Sequence, residues 1–398
     1  MKILLVAIFS MLASLGCAQS PGSGFWQGIL QYDQGVVPFS FEIIASDEKV
    51  RMLLTNGEEK IEINKLELSG DSIFIKIPIF DAQLRAQFTG KTMSGKWIKG
   101  YKETEIDFKA EIGKPRFSLP AVESKKIETK WSMTFQPGTA YEYAAMGMFA
   151  QNGSSLTGTV VTGTGDFRYM EGTVIGDSIV LSSFDGAHGF LMTGRRSKGG
   201  WKGEFHFDTN YVEKWDGTPS KHAAMPNPFD MVDLDGSVEE PYFDILSAGS
   251  GVDAIDLEKY EGKVLIIQLF GSWCPNSLDQ SKYLIDWYSK KQDDVEVLAV
   301  SYELNYSKEY GLKRIGEYKK ELQIPYDIVL GGRMNKRTAA MAFPFMDRIE
   351  AFPTLVILDK KGNARKVHSY FQGPATGVLY QEFERNFNAL IAELVAEE

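Results

Sequence analysis

The residues best equipped for chemistry are Trp273-Cys274-Pro275-Asn276-Ser277, which follow an apolar run, VLIIQLF, at 264–270. A cysteine attacks as its thiolate, and the bond it makes to another sulfur must later be broken by a second thiol. A site that resolves its own adduct would carry that second cysteine three residues on, where this chain has Ser277. Whatever Cys274 captures must therefore be released by a thiol from outside the site.

The other cysteine, Cys17, closes an N-terminal segment in which Lys2 precedes the apolar stretch 3–12 and the small residues of Ala13-Ser14-Leu15-Gly16-Cys17. The stretch is too short to span a bilayer as a permanent helix and reads as an export signal. It resembles the lipobox of bacterial lipoproteins, which implies lipid on Cys17 and a place in the bacterial cell envelope, facing the periplasm or on the outer membrane. The alternative is cleavage after Ala18. Either outcome leaves Cys274 as the only thiol of the exported protein, in an oxidising compartment, so an intramolecular disulfide is excluded.

The elements around Cys274 read as α/β. The run 264–270 is a buried strand, and a helix extends from the cysteine to about 292. A second strand at 295–303 precedes a helix at 307–323. TLVILD (354–359), the turn Lys361-Gly362-Asn363 and VHSYF (367–371) form a hairpin, and a closing helix carries Leu379, Phe383, Phe387, Leu390 and Leu394 on one stripe. This order predicts a mixed central sheet with helices on both faces. A cysteine in the first helical turn faces unpaired N–H groups and the positive end of the dipole, which favours thiolate and rapid alkylation at neutral pH. Pro275 suits that turn, having no N–H to waste, and Ser277 offers a hydroxyl and an amide to the sulfur.

From about 228 onward the chain resembles the thioredoxin-like domain of TlpA and ResA type proteins of bacterial cell envelopes. The resemblance rests on YEGK (260–263), FGSWCPNSLDQ (270–280) and AFPTLVILDKKG (351–362). It implies thiol–disulfide oxidoreductase chemistry with Cys274 as nucleophile, Ser277 as the departure from the usual pair, and Pro353 as a cis proline beside the site. Phe352 would then present its ring at the rim, with Trp273, Pro275 and Asn276 facing substrate. Gln268 stands where many thioredoxins bury an acid that serves the second cysteine. Glu303 reads as a solvated strand-end charge, or as a substitute for that acid.

The region 25–217 is a duplication. GDSI (70–73), Phe80-Asp81, Thr89-Gly90 and Gly95-Lys96-Trp97 recur as GDSI (176–179), Phe184-Asp185, Thr193-Gly194 and Gly199-Gly200-Trp201, with Trp26 and Trp131 opening the copies, about 25–113 and 130–217. Alternating stretches such as KIEINKLEL (60–68) predict antiparallel strands, and the two sheets are expected to close on one another as a barrel or sandwich. Such an N-terminal all-β domain resembles the extensions of envelope proteins of this kind. Residues 218–240 read as a linker to a domain over 241–398, beginning with a short strand at 241–246.

Lys and Arg number 43 against 53 Asp and Glu, with no basic block, which argues against nucleic acid. No cofactor is expected. His188 and His206 lack a metal-ligand spacing and read as strand residues. The leading expectation is a monothiol oxidoreductase that acts on a protein disulfide or small-thiol substrate and is resolved by an external thiol or redox partner. The alternatives are a non-redox binding or scaffold module and a one-cysteine peroxidase. The peroxidase pattern P-x-x-x-T-x-x-C would need Thr where Gly271 stands.

Overall fold

The computed structural model describes residues 20–397 apart from 46–49, 101–103, 119–122, 208–209, 236–256, 292 and 306. Cys17 with its signal segment, and the strand expected at 241–246, lie outside the described residues.

The C-terminal sheet has five strands, β1 (Val264–Phe270), β2 (Val295–Glu303), β3 (Asp327–Arg333), β4 (Thr354–Leu358) and β5 (Ala364–His368), in the order β3-β2-β1-β4-β5. β1–β2 and β2–β3 are parallel, while β1–β4 and β4–β5 are antiparallel. Every residue of β1 is buried because β1 is central in the sheet and covered on both faces. Val264, Ile266 and Phe270 face α1 (Pro275–Tyr288), α2 (Lys308–Leu322) and α4 (Val378–Ala396), while Leu265, Ile267 and Leu269 face α3 (Lys336–Ala340) and the segment after it. Helices do cover both faces, but β3 and α3 are additions to the sequence reading. β5 begins three residues earlier than the expected 367, placing His368 at its end.

Each copy of the duplicated unit forms its own nine-stranded antiparallel sheet. This corrects the expectation that the two sheets close on one another. Eight or nine strongly twisted strands can curl around a core of their own, and the second copy closes in this way, whereas the first keeps a face that Phe184, Ala187 and Leu191 of the second copy help to bury. In the first copy Thr104–Ile112 returns to pair with Gly24–Tyr32, and Trp26 and Trp97 are buried inside. In the second, Tyr143–Asn152 pairs with Ser155–Thr162, which also pairs with Met170–Ile175, so the ring closes, with Trp131 stacked on Trp201 at 5.0 Å.

The copies part at one place. Glu59–Ile63 and Leu66–Ser69 are edge strands of the first sheet. At the matching offset the second barrel closes through Met170–Ile175 and leaves the two-residue strand Gly165–Asp166 as a spur on Ser155–Thr162. That spur reaches the N-terminus of α1.

Candidate functional site

Cys274 caps α1 in an extended conformation, with Pro275 as the first helical residue. The turn is closed by Cys274 N–H donating to Gly271 O (3.0 Å) and Leu278 N–H donating to Cys274 O (3.1 Å). The thiol lies 3.4 Å from the carbonyl of Phe352, to which it donates. The Phe352–Pro353 bond is cis, as the resemblance implied. The ring of Phe352 is not at a rim: the residue is 5% exposed and tilts against Tyr302 at 5.3 Å, so what it offers the site is its carbonyl.

Cys274 itself is 7% exposed. Burial pushes its thiol above the ordinary value, against the hydroxyl and amide of Ser277, the amide of Asn276 and the charge of Arg168, which all pull it down. This corrects the expectation of a resting thiolate: the helix N-terminus is present, but desolvation outweighs it. Ser277 is fully buried and accepts from Gly271 N–H at 3.4 Å. It keeps the place of a second sulfur without its redox chemistry.

Behind the site, Gln268 donates to Gln280 and Ser281 (both 3.1 Å), and Tyr318 donates to Ser281 (3.1 Å). This buried network is uncharged, so Gln268 and its partners supply no acid. Glu303 is 2% exposed, which excludes a solvated strand end. Its carboxylate accepts from Ser272 N–H (3.0 Å), Ser272 Oγ (2.8 Å) and Ser301 Oγ (2.6 Å), so it holds the loop before the cysteine. Trp273 is fixed by its indole N–H donating to Tyr302 O at 2.9 Å.

The spur from the second barrel was not legible in sequence. Asn276, read as facing substrate, turns instead to the spur, where its amide donates to Asp166 O (3.2 Å) and Oδ2 (3.3 Å). Gly373 N–H donates to the same Asp166 Oδ2 at 2.7 Å. Burial pushes the Asp166 carboxyl up to about 6; the amide of Gly373 opposes this, and the charge of Asp279 adds to it. Two residues on, Arg168 sits in the left-handed region (φ 54°), with Nη2 donating to Asp279 Oδ1 and Nε lying beside Oδ2, both at 2.9 Å. Glu59 of the first copy (2.5 Å) and Asp185 (3.5 Å) complete the cluster. One buried cation thus joins both β units to α1. Burial alone would lower the affinity of Arg168 for its proton, but the surrounding carboxylates reverse this, so it is charged at every ordinary pH.

Pro275 and Trp273 line a cleft of about 420 Å³ between this turn and the second barrel. His188 lies in the cleft wall and bonds through Nδ1 to Asp185 (2.9 Å); His206 is buried on its strand. Among the described residues no group of His, Cys, Asp and Glu could hold a metal ion, and no helix is long and apolar enough to cross a membrane.

No family model matches the chain, and no curated protein matches it. Solved structures resemble part of it. A thiol-disulfide isomerase from Corynebacterium glutamicum is 14% identical, with TM-score 0.30, over 43% of this chain and 98% of its own. A DsbF homologue from Corynebacterium diphtheriae is 19% identical, with TM-score 0.26, over 34% and 78%. A thiol-disulfide oxidoreductase from Bacteroides fragilis is 20% identical, with TM-score 0.24, over 33% and 88%. These neighbours are of the thioredoxin-like fold. Their likeness is confined to part of the chain and transfers no activity to it.

Proposed function

We propose that the protein is a cell-envelope thiol–disulfide oxidoreductase that works through the single sulfur of Cys274. In the first step the Cys274 thiol loses its proton, its sulfur bonds to one sulfur of a substrate disulfide, and the other sulfur leaves as a thiolate and takes up a proton. An external thiol then attacks the mixed disulfide, takes over the captured sulfur and returns Cys274 to the thiol. The observation that carries this reading is the surround of the sulfur. Ser277 and the amide of Asn276 are placed to hold a thiolate, and the Phe352 carbonyl lies 3.4 Å away, although no second thiol is there to benefit. Export and a lipid on Cys17 belong to the same proposal and rest on residues 2–17.

The burial of Cys274 favours a second reading, in which the fold persists as a binding or scaffold lipoprotein and the β region carries the function. Purification from the native envelope without reductant, followed by intact-mass and peptide analysis, separates the two. The exchange reading expects a discrete disulfide adduct on Cys274, absent in Cys274→Ala. A chain with no adduct, together with a Cys274→Ala strain that behaves as wild type, refutes it.

A further inference from the structure

The cleft beside Cys274 is walled on one side by residues of the cysteine turn and on the other by the mouth of the second barrel. At about 420 Å³ it falls within the range of roughly 300–1,000 Å³ usual for small-ligand sites. The barrel side is aromatic. Phe167 stacks on Phe205 at 4.3 Å, Phe190 lies 5.6 Å from Phe205, and Phe207 lies 5.7 Å from Phe205. Phe167, Phe190 and Phe207 are only half-buried, so apolar ring surface stays open to the cleft.

The charge in the cleft is one-sided. Among the described residues that line it, the basic groups are already engaged, Arg168 by Asp279, Glu59 and Asp185, and His188 through Nδ1 by Asp185. Glu213 lines the same cleft at 6% exposure. Among the described residues its Oε1 accepts from Gln136 (2.7 Å) and Tyr211 (3.1 Å), and its Oε2 accepts from Tyr143 alone (2.6 Å). A carboxylate has about four acceptor positions, so Oε2 retains capacity for one more donor. A carboxylate beside aromatic faces is the arrangement that attracts a cation through both its charge and the ring quadrupoles.

We propose that this cleft is a binding site for an apolar or aromatic group of side-chain size bearing a positive charge, such as an arylalkylamine. It would select which sulfur partners reach Cys274. The selecting role rests on the exchange reading above; the binding site does not. The positive group would meet Glu213 while its apolar body lies on Phe190 and Phe207, which places any attached sulfur toward Trp273 and Pro275. A free small molecule and a basic residue beside a cystine in a peptide present the same chemistry.

The test uses the full-length chain in detergent and two matched probes, benzylamine and benzoate, followed by ligand-observed NMR titration. Benzylamine is expected to bind at least tenfold more tightly than benzoate. Glu213→Gln is expected to remove most of that preference, and Phe207→Ala, at a half-exposed position, to weaken benzylamine at least threefold. Equal binding of the two probes, or a preference indifferent to both variants, overturns the site. A second arm compares aminoethyl and sulfonatoethyl methanethiosulfonates at Cys274, each rate divided by that of a free cysteine peptide. A tenfold advantage for the cation supports selection, and no advantage overturns it. Cystamine against a cystine peptide with a neighbouring Arg then tells which carrier is favoured, and a faster reaction of either than of its anionic counterpart supports the proposal. Benzylamine binding with an inert Cys274 would keep the site and remove the exchange reading. Reaction without charge discrimination would keep the exchange reading and remove the selecting role.

Discussion

Arg168→Met tests whether the ion cluster is what holds the second barrel against α1. The guanidinium is 4% exposed and lies within ion-pair distance of three carboxylates, those of Asp279, Glu59 and Asp185. Methionine fills much of the volume but leaves those carboxylates buried together without the guanidinium, with His188 bonded only to Asp185. Breaking a buried pair in this way costs roughly 3–5 kcal/mol, a large share of the 5–15 kcal/mol that ordinarily holds a domain folded. The loss need not appear as global unfolding, because the spur can undock and let water reach the acids. Two readouts are expected together: a lower denaturation midpoint, and faster hydrogen exchange at Gly373 N–H, whose acceptor is Asp166. Adding Asp279→Asn should restore part of the loss, since it removes one of the stranded charges. If Arg168→Met costs less than about 1 kcal/mol and leaves exchange at Gly373 unchanged, the cluster is not the clamp described here.

Four further outcomes follow from the geometry. Alkylation of Cys274 should be slower at neutral pH than that of a cysteine peptide, with a midpoint above the roughly 8.5 of a free thiol; a plateau reached below pH 8 would contradict the burial argument. Ser277→Cys should form a disulfide with Cys274, read as the loss of two hydrogens in intact mass, and should support dithiol turnover if the scaffold is otherwise competent. Asp166, at about 6 in the fold, binds its proton more readily there than in the unfolded chain. Its contribution therefore favours folding at pH 4 and is lost as pH rises through 6, by about 3 kcal/mol at most, and Asp166→Asn should flatten that slope in denaturation midpoints measured from pH 4.5 to 7. Gly165→Ala should loosen the junction, because a Cβ there would meet Asn276 Nδ2 at 2.7 Å and the residue's φ is +133°; unchanged exchange at Gly373 would sink this.

The C-terminal fold was legible because its signals are local. The run VLIIQLF is apolar enough to be central in a sheet, and the cysteine turn and Phe352-Pro353-Thr354 carry short, recognisable patterns. β3 escaped notice because DIVLGGR offers only three consecutive apolar residues before two glycines. The duplication was legible too, but not its closure, since strand alternation gives the face of a residue and not the partner of an edge. What sequence could not supply was everything that depends on docking. Asp166 and Arg168, which hold Asn276 and Asp279 of α1, come from more than a hundred residues away and sit in GTGDFRY, a stretch with no motif. The acidity of the thiol is hidden from sequence for the same reason. A helix N-terminus can be read from a few residues, whereas desolvation depends on what packs above it.

The difference between the two copies of the β unit has a consequence for divergence. In the first copy the residues at the matching offset serve as a sheet edge, so changing them disturbs the module that carries them. In the second the barrel closes without Gly165–Asp166, and those residues are free of that duty. Sequence drift on the spur is therefore tolerated by the barrel and felt at the cysteine. Repetition has left one copy with a finger its own barrel does not need for closure, and that finger is where the contact with α1 can change while the barrel stays closed.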